Sequence, residues 1–473
     1  MVVVEACKIG LSQSPSLSLL QVSSMIVDPY SSSLALMHPD STFSLYPSLS
    51  PFSLTSPSLP PPQTLIRYHS AAAFVRLQSS NPNSTPRSVF VASGPHRGGA
   101  SVHLNFWILR GSQSFIRTNI ICNQKGLEFE GSKTGVVFNV NHGVSIKLVG
   151  SINVFAMYSV SNAKIWIFAL KFVGGNDDDD DDDAVTLKLM KCAVVDCSMP
   201  VFTINISFGF LILGEENGVR VLNLRQLVEG GGRKQQSQQR KIYNAGLSLP
   251  NGLRLGSSVN QSKPLSSNGY LEGKVEKGGE HVKPKMVKLR QESSEAYISF
   301  VELKSKEVES NGSLKKTVTS SAKAISIQTL SSNKFLVLDS TGDLHMLCLP
   351  KSAHGSKLSC YVKPISYNIK VKKMAVLPDV TKGTRVVWVS DGHYTLHRVE
   401  VGSDPSDNES EEKEENKDEE GEQEDEDEEE EEVVQVSASQ VIFNSEGIQD
   451  IVPFTTSSIL VLGQGNIFAY AIN

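Results

Sequence analysis

Lys334-Phe-Leu-Val-Leu-Asp-Ser-Thr-Gly-Asp-Leu-His-Met-Leu-Cys-Leu349 sets two short apolar runs on either side of a polar turn, Asp339-Ser-Thr-Gly-Asp343. Gly342 supplies the positive φ that a tight strand-to-strand turn needs, and the flanking acids are placed to accept hydrogen bonds from nearby backbone N–H groups. The stretch therefore reads as a β-hairpin.

The same pattern recurs in both directions. Downstream, 385–399 turns at Asp391-Gly392, and 459–472 turns near Gly463 to Asn466. Upstream, 208–224 turns at Glu215-Glu-Asn-Gly218, 152–170 at Ser161-Asn162, 88–109 through Gly94-Pro-His-Arg-Gly-Gly99, and 34–46 at His38-Pro-Asp40. That makes seven copies. Their spacing is irregular, but much of the irregularity falls in low-complexity inserts, which loops tolerate because closure entropy grows slowly with length. Between the hairpins lie further apolar runs, such as Asn119-Ile-Ile-Cys122, Val185-Thr-Leu-Lys-Leu189, Ala296-Tyr-Ile-Ser-Phe-Val301 and 361–371, that supply the remaining strands of each unit.

Four short strands make a propeller blade. One blade alone leaves both of its faces wet, so it must stack on neighbours, and a closed ring of seven has no end blade. On this pattern the chain resembles the WD40/YVTN-like β-propeller superfamily over nearly its whole length apart from the inserts. It departs from the family's signatures: no Gly-His opener or Trp-Asp closer stands at the blade positions, and Trp388 is followed by Val389. The resemblance implies an all-β chain forming a single seven-bladed WD40-like propeller across 1–473. The last run, 466–472, is a third strand without an outer partner, so strand 2–7, Val2-Val-Val-Glu-Ala-Cys7, is expected to complete the last blade and close the ring.

Four segments break the pattern: 47–63 is Ser/Pro-rich, 174–183 and 402–432 are acidic, and 229–290 is rich in Gly, Ser, Gln and Lys. All four are expected to be disordered insertions. The formal net charge of −6 conceals their effect. Asp404 to Glu432 holds 20 acids and two lysines, and Asp177 to Asp183 adds seven more acids, which leaves +19 on the rest of the chain. Such blocks repel themselves too strongly to pack in a core.

The six cysteines are scattered without metal-ligand spacing, which fits a reduced, intracellular chain, and no cofactor is expected. The first ten residues lack the basic start and long apolar centre of a secretory signal. The apolar stretch 151–173 carries Asn153, Asn162 and Lys164, and it reads as two strands meeting at a polar turn in place of a membrane span. No phosphate-binding G-x-x-x-x-G-K-[ST], G-x-S-x-G elbow or H-E-x-x-H is present. His393 and His397, four apart in a strand, lie two pleats from each other and too far for joint coordination, and the run of Asp177 to Asp183 lacks the glycines that wrap a calcium ion.

One set of residues remains. Arg233, Lys234, Arg240, Lys241, Lys283, Lys285, Lys288 and Arg290 form basic clusters suited to nuclear import or to phosphate contact. With the basic body and the acidic blocks they point to a nuclear or nucleolar protein, otherwise a cytoplasmic one. The expected function is a non-catalytic protein-interaction scaffold in a nuclear or ribonucleoprotein assembly, with basic proteins as partners of the acidic insert. Two alternatives stand beside it: a direct nucleic-acid-binding protein using the basic surface, and a propeller hydrolase with its site in the central channel. The basic arms lack interleaved aromatics for base stacking, and neither membrane binding nor enzymatic activity is expected.

Overall fold

The computed structural model describes residues 4–10, 21–49, 59–79, 85–111, 113–122, 127–129, 135–143, 145–173, 186–227, 285–288, 297–309, 316–350, 358–377, 385–401, 434–455 and 457–472. Among these the strands build a seven-bladed β-propeller. From the channel outward, blade 1 consists of Ser24–Asp28, Ser33–Met37, Phe43–Tyr46 and Thr64–Ile66. Blade 2 has Ala71–Leu77, Arg87–His96, Ser101–Arg110 and Gly135–Phe138, and blade 3 has Ile146–Gly150, Val154–Ser159, Lys164–Val173 and Thr186–Asp196. Blade 4 has Thr203–Ser207, Phe210–Gly214, Gly218–Asn223 and Ile298–Glu302, and blade 5 has Ala324–Thr329, Lys334–Asp339, Leu344–Cys348 and Tyr361–Ser366. Blade 6 has Lys373–Val376, Arg385–Ser390, Thr395–Val401 and Ser437–Phe443. In blade 7, Asp450–Thr455, Ser458–Leu462 and Ile467–Ile472 are joined by Val4–Ile9, which pairs antiparallel with the last of them from Val4↔Ile472 to Ile9↔Ile467.

The hairpins read from sequence are the second and third strands of these blades, and the packing explains why they stand out. A middle strand is covered on both faces by neighbouring blades, so nearly every position is apolar, as in a buried parallel sheet. Alternate residues feed alternate interfaces. In Lys334–Asp339, Phe335 and Val337 enter the core between blades 4 and 5, whereas Leu336 and Leu338 enter the core between blades 5 and 6. In Ser458–Leu462, Ile459 and Val461 face blade 6, and Leu460 and Leu462 face blade 1. Buried apolar clusters fill every blade-to-blade interface, from blades 1 and 2 round to blades 7 and 1. The innermost strands touch one another in the same order, ending with Ser24–Asp28 against Asp450–Thr455, so the ring closes on itself.

Several strands extend the basic plan. Ser114–Arg117 and Leu127–Phe129 widen blade 2. Asn119–Ile121, read from sequence as an ordinary blade strand, instead crosses over and pairs in parallel with the outer strand of blade 3. Lys285–Lys288 pairs in parallel further along that same outer strand, and Val434–Gln435 does so on the outer strand of blade 5. An outer strand leaves a row of backbone N–H and C=O groups open to pairing, and these additions cover part of it. Two of the expected insertions are thus corrected in part. Within 229–290, residues 285–288 form a strand, and within 47–63, Leu49 and Leu59 are buried in the core between blades 7 and 1. The remaining parts, 50–58, 174–183, 229–284, 289–290 and 402–432, lie outside the described residues. The stretch 151–173 forms strands, and among the described residues no helix is long and apolar enough to cross a membrane.

Because strands alternate in direction, connections fall on two faces. Second-to-third turns and blade-to-blade links lie on one, here the turn face. First-to-second turns and third-to-outer connections lie on the other, and each of the four insertions joins a third strand to an outer one. All four therefore depart from the same side of the ring.

Candidate functional site

On the turn face, blade after blade ties its second-to-third turn with a polar side chain that the flanking strands bury. His38 Nε2 lies 2.8 Å from Ser44 Oγ in blade 1, and His96 Nδ1 lies 3.1 Å from Ser101 Oγ in blade 2. Ser159 Oγ accepts the Asn162 backbone N–H at 3.3 Å, and Ser390 Oγ accepts that of Gly392 at 3.1 Å. In blade 5, Asp339 Oδ1 accepts the backbone N–H groups of Thr341 and Asp343, both at 2.9 Å, and the Thr341 hydroxyl at 2.7 Å, while its Oδ2 lies 2.9 Å from His345 Nε2. Burial pushes the Asp339 carboxyl upward, but hydrogen bonds from His345, Thr341 and Asp343 outweigh it and hold the group below its ordinary value.

Blade 4 uses full charges at this place. Arg220 Nε donates to Glu215 Oε1 at 2.7 Å and Nη2 to Oε2 at 2.8 Å, with the two side chains only 2% and 4% exposed. Both ions have left water, a cost of several kcal/mol each that only close, bidentate pairing offsets. The Arg220 guanidinium carbon stands 4.9 Å from the centroid of the Phe300 ring on the neighbouring strand. Beside the pair opens a cavity of about 150 Å³ lined by Met199, Glu215, Asn217, Arg220, Phe300 and Glu302. Phe300 is 38% exposed and Glu302 is exposed, so charged groups form the floor and open ones the mouth.

Several titratable groups elsewhere are buried among their neighbours. Burial drives His69 down to about 4, so the ring is neutral, with Nδ1 2.6 Å from Arg67 O and Nε2 2.8 Å from Asn105 Nδ2. Burial likewise pushes the Cys197 thiol up to about 12 and that of Cys360 to about 11, which keeps both protonated and weakly nucleophilic. His393 lies in the turn of blade 6 and His397 on its third strand, where the His397 ring meets Tyr367 edge-on at 6.2 Å. Among the described residues no group of three or more His, Cys, Asp or Glu side chains is placed to hold a metal ion.

Of the basic residues singled out in the sequence, Lys285 and Lys288 fall at the two ends of the strand on the edge of blade 3. Arg233, Lys234, Arg240, Lys241, Lys283 and Arg290 lie outside the described residues. Sequence reading missed the pair at blade 4, although a signal was present. Arg220 is the one charge in Gly218–Asn223, a strand buried at every position, and a charge there requires a partner such as Glu215 across the turn.

No family model and no curated protein matches the chain. Among solved structures it is similar to the β-propeller domain of Cps50 (Swd1) from Myceliophteria thermophila, at 8% identity over 100% of both chains with a TM-score of 0.47. It is also similar to Hsv2 of Kluyveromyces lactis, at 8% identity over 73% of each chain with a TM-score of 0.33. These likenesses concern the fold, which the blade pairing of the chain itself establishes.

Proposed function

We propose that the protein is a non-catalytic scaffold that grips a protein partner on its turn face, within a nuclear or ribonucleoprotein assembly. The observation that carries this reading is the division of labour between the two faces. On one, short turns are fixed by buried polar side chains and blade 4 holds a lined cavity; on the other, the long charged connections depart. A surface already fixed in shape loses little conformational entropy when a partner docks, which favours stable association. The acidic segment 404–432 provides long-range attraction for basic partners, and the basic clusters of 229–290 support a nuclear address.

Affinity purification of the tagged full chain from nuclear and from cytoplasmic extract tests the reading. The expected result is a stable protein partner enriched from nuclear extract, retained after nuclease treatment and lost when the exposed turn residues Arg97 and Tyr394 are both changed to glutamate. Recovery of no partner from either extract would overturn the scaffold reading. Recovery of nucleic acid alone, with retention falling steeply as salt rises, would replace it with direct nucleic-acid binding.

A further inference from the structure

We infer that the blade 4 cavity on the turn face receives a lysine or arginine side chain from an exposed segment of a partner protein. This deepens the scaffold reading and rests on it, since it names the chemistry by which that face would hold its partner.

The lining decides the sign of the ligand. Glu215 and Glu302 contribute two carboxylates against the single guanidinium of Arg220, and two nitrogens of that guanidinium are already committed to Glu215. An anion entering the cavity would meet a guanidinium whose charge Glu215 already balances and a mouth at which Glu302 carries a like charge, so the lining as a whole is negative. A cation meets the opposite arrangement: Glu302 is exposed at the rim, and no ion pair holds it among the described residues. Nearby Glu216 is engaged separately by Lys323 at 3.3 Å and does not compete for the ligand.

The walls decide the rest of its shape. The Phe300 ring and the Met199 thioether give an apolar flank that a bare metal ion or ammonium would leave unused. A lysine or arginine side chain uses both parts, laying its methylene stem along the apolar flank while its charged end reaches the carboxylate. An aromatic ring in the wall adds cation–π attraction of about 0.5–1 kcal/mol at an exposed site. The volume of about 150 Å³ fits one such side chain and excludes a folded element; a cavity of roughly that size holds a benzene-sized group.

The floor is rigid, which a specific pocket requires. The Glu215–Arg220 pair is bidentate and buried, and the surrounding backbone is closed by Glu215 N–H to Gly218 O at 2.9 Å and Leu303 N–H to Asn217 O at 3.1 Å. The hairpin formed by Lys304–Glu309 and Lys316–Ser321 follows directly after Leu303, and its Ser321 hydroxyl donates to Oδ1 of Asn217 in the cavity lining at 3.4 Å.

The test uses the full chain with ¹³C-labelled methionine methyl groups, in which the Met199 signal is assigned by its loss in Met199→Leu. The probes are Nα-acetyl-lysine amide and Nα-acetyl-arginine amide, with Nα-acetyl-norleucine amide as the uncharged match in length. The Met199 signal is expected to move saturably with both cations in the millimolar range, and the uncharged amide to bind about tenfold more weakly. Glu302→Gln is expected to weaken the cations about fivefold and leave the norleucine amide unchanged, with no shift in Tm because Glu302 is exposed. Absence of any Met199 movement with the cations, or movement equal for the norleucine amide, overturns the proposal. Failure of the partner purification while Met199 still responds would strike the scaffold reading alone, whereas recovery of a partner with a silent Met199 would strike the cavity alone.

Discussion

Blades 4 and 5 tie the same turn by opposite means. In blade 5, Asp339 gathers donors from its own turn, two backbone N–H groups and a hydroxyl, with His345 behind it, and the turn closes on itself. In blade 4, Glu215 turns its carboxylate to Arg220, a charge on the next strand, and the pair looks out past Phe300 into open space. The same topological position thus yields a sealed turn in one blade and a lined cavity in the next. What decides it is whether the buried acid is satisfied by backbone or by an opposite charge that needs room.

Both ties act inside a ring held shut at blade 7, which sets the largest effect. Deleting residues 1–10 removes the outer strand of that blade, including Ile9 at 2% exposure, and is expected to abolish cooperative thermal unfolding of the ring; an unchanged melting transition would show that closure does not depend on this strand. Next comes Arg220→Ala, which strands the Glu215 carboxylate in the interior and should cost about 3–5 kcal/mol in denaturant unfolding. The double replacement Glu215→Leu with Arg220→Met should recover most of that loss. Asp339→Ala leaves neutral donors without an acceptor and should cost less, about 2–3 kcal/mol. Equal costs at the two turns would mean that full charge makes no difference to how a blade is tied.

Acidity separates the turns further. The folded Asp339 carboxyl titrates below its unfolded value near 4, so its contribution is complete above about pH 4 and drains away as pH falls through the lower folded value. Asp339→Asn should flatten that limb of the stability profile, measured by unfolding at stepped pH. His69 acts higher on the scale. Its folded value near 4 lies below the unfolded value of about 6.5, so stability present above pH 6.5 should fall by roughly 3 kcal/mol on the way down to pH 4. His69→Gln should remove this upper limb and leave the lower one. The smallest effect is expected from Gly342→Ala, about 1–2 kcal/mol, since φ is +89° there and the added Cβ would stand 3.0 Å from the Val371 carbonyl oxygen.

The sequence made the middle strands of every blade legible because both of their faces are covered, so apolar residues run on without the polar interruptions that confuse helix and strand. The edges were harder. Asn119–Ile121, Lys285–Lys288 and Val434–Gln435 are two to four residues long and are fixed by the strand they land on, a choice made far away in the chain. The hairpin Lys304–Glu309 with Lys316–Ser321 has little apolar patterning and went unread. Leu49 and Leu59 belong to a Ser/Pro stretch whose composition speaks for a loop, yet each finds a place in the core between blades 7 and 1. The blade 4 cavity needed two facts together: that 218–223 is buried throughout, and that Phe300 returns beside Arg220 from a strand 80 residues on.

The pairing of Val4–Ile9 with Ile467–Ile472 has a consequence for biosynthesis. The first of these strands leaves the ribosome before every other described strand, and its partner leaves after them all. Throughout translation the nascent chain therefore carries an apolar segment with nowhere to dock, and final closure is a contact between regions of the greatest sequence separation, the kind that forms slowly. Any arc of blades that forms before this contact is made has two bare flanks, and it presents molecular chaperones with a surface that the finished protein no longer has.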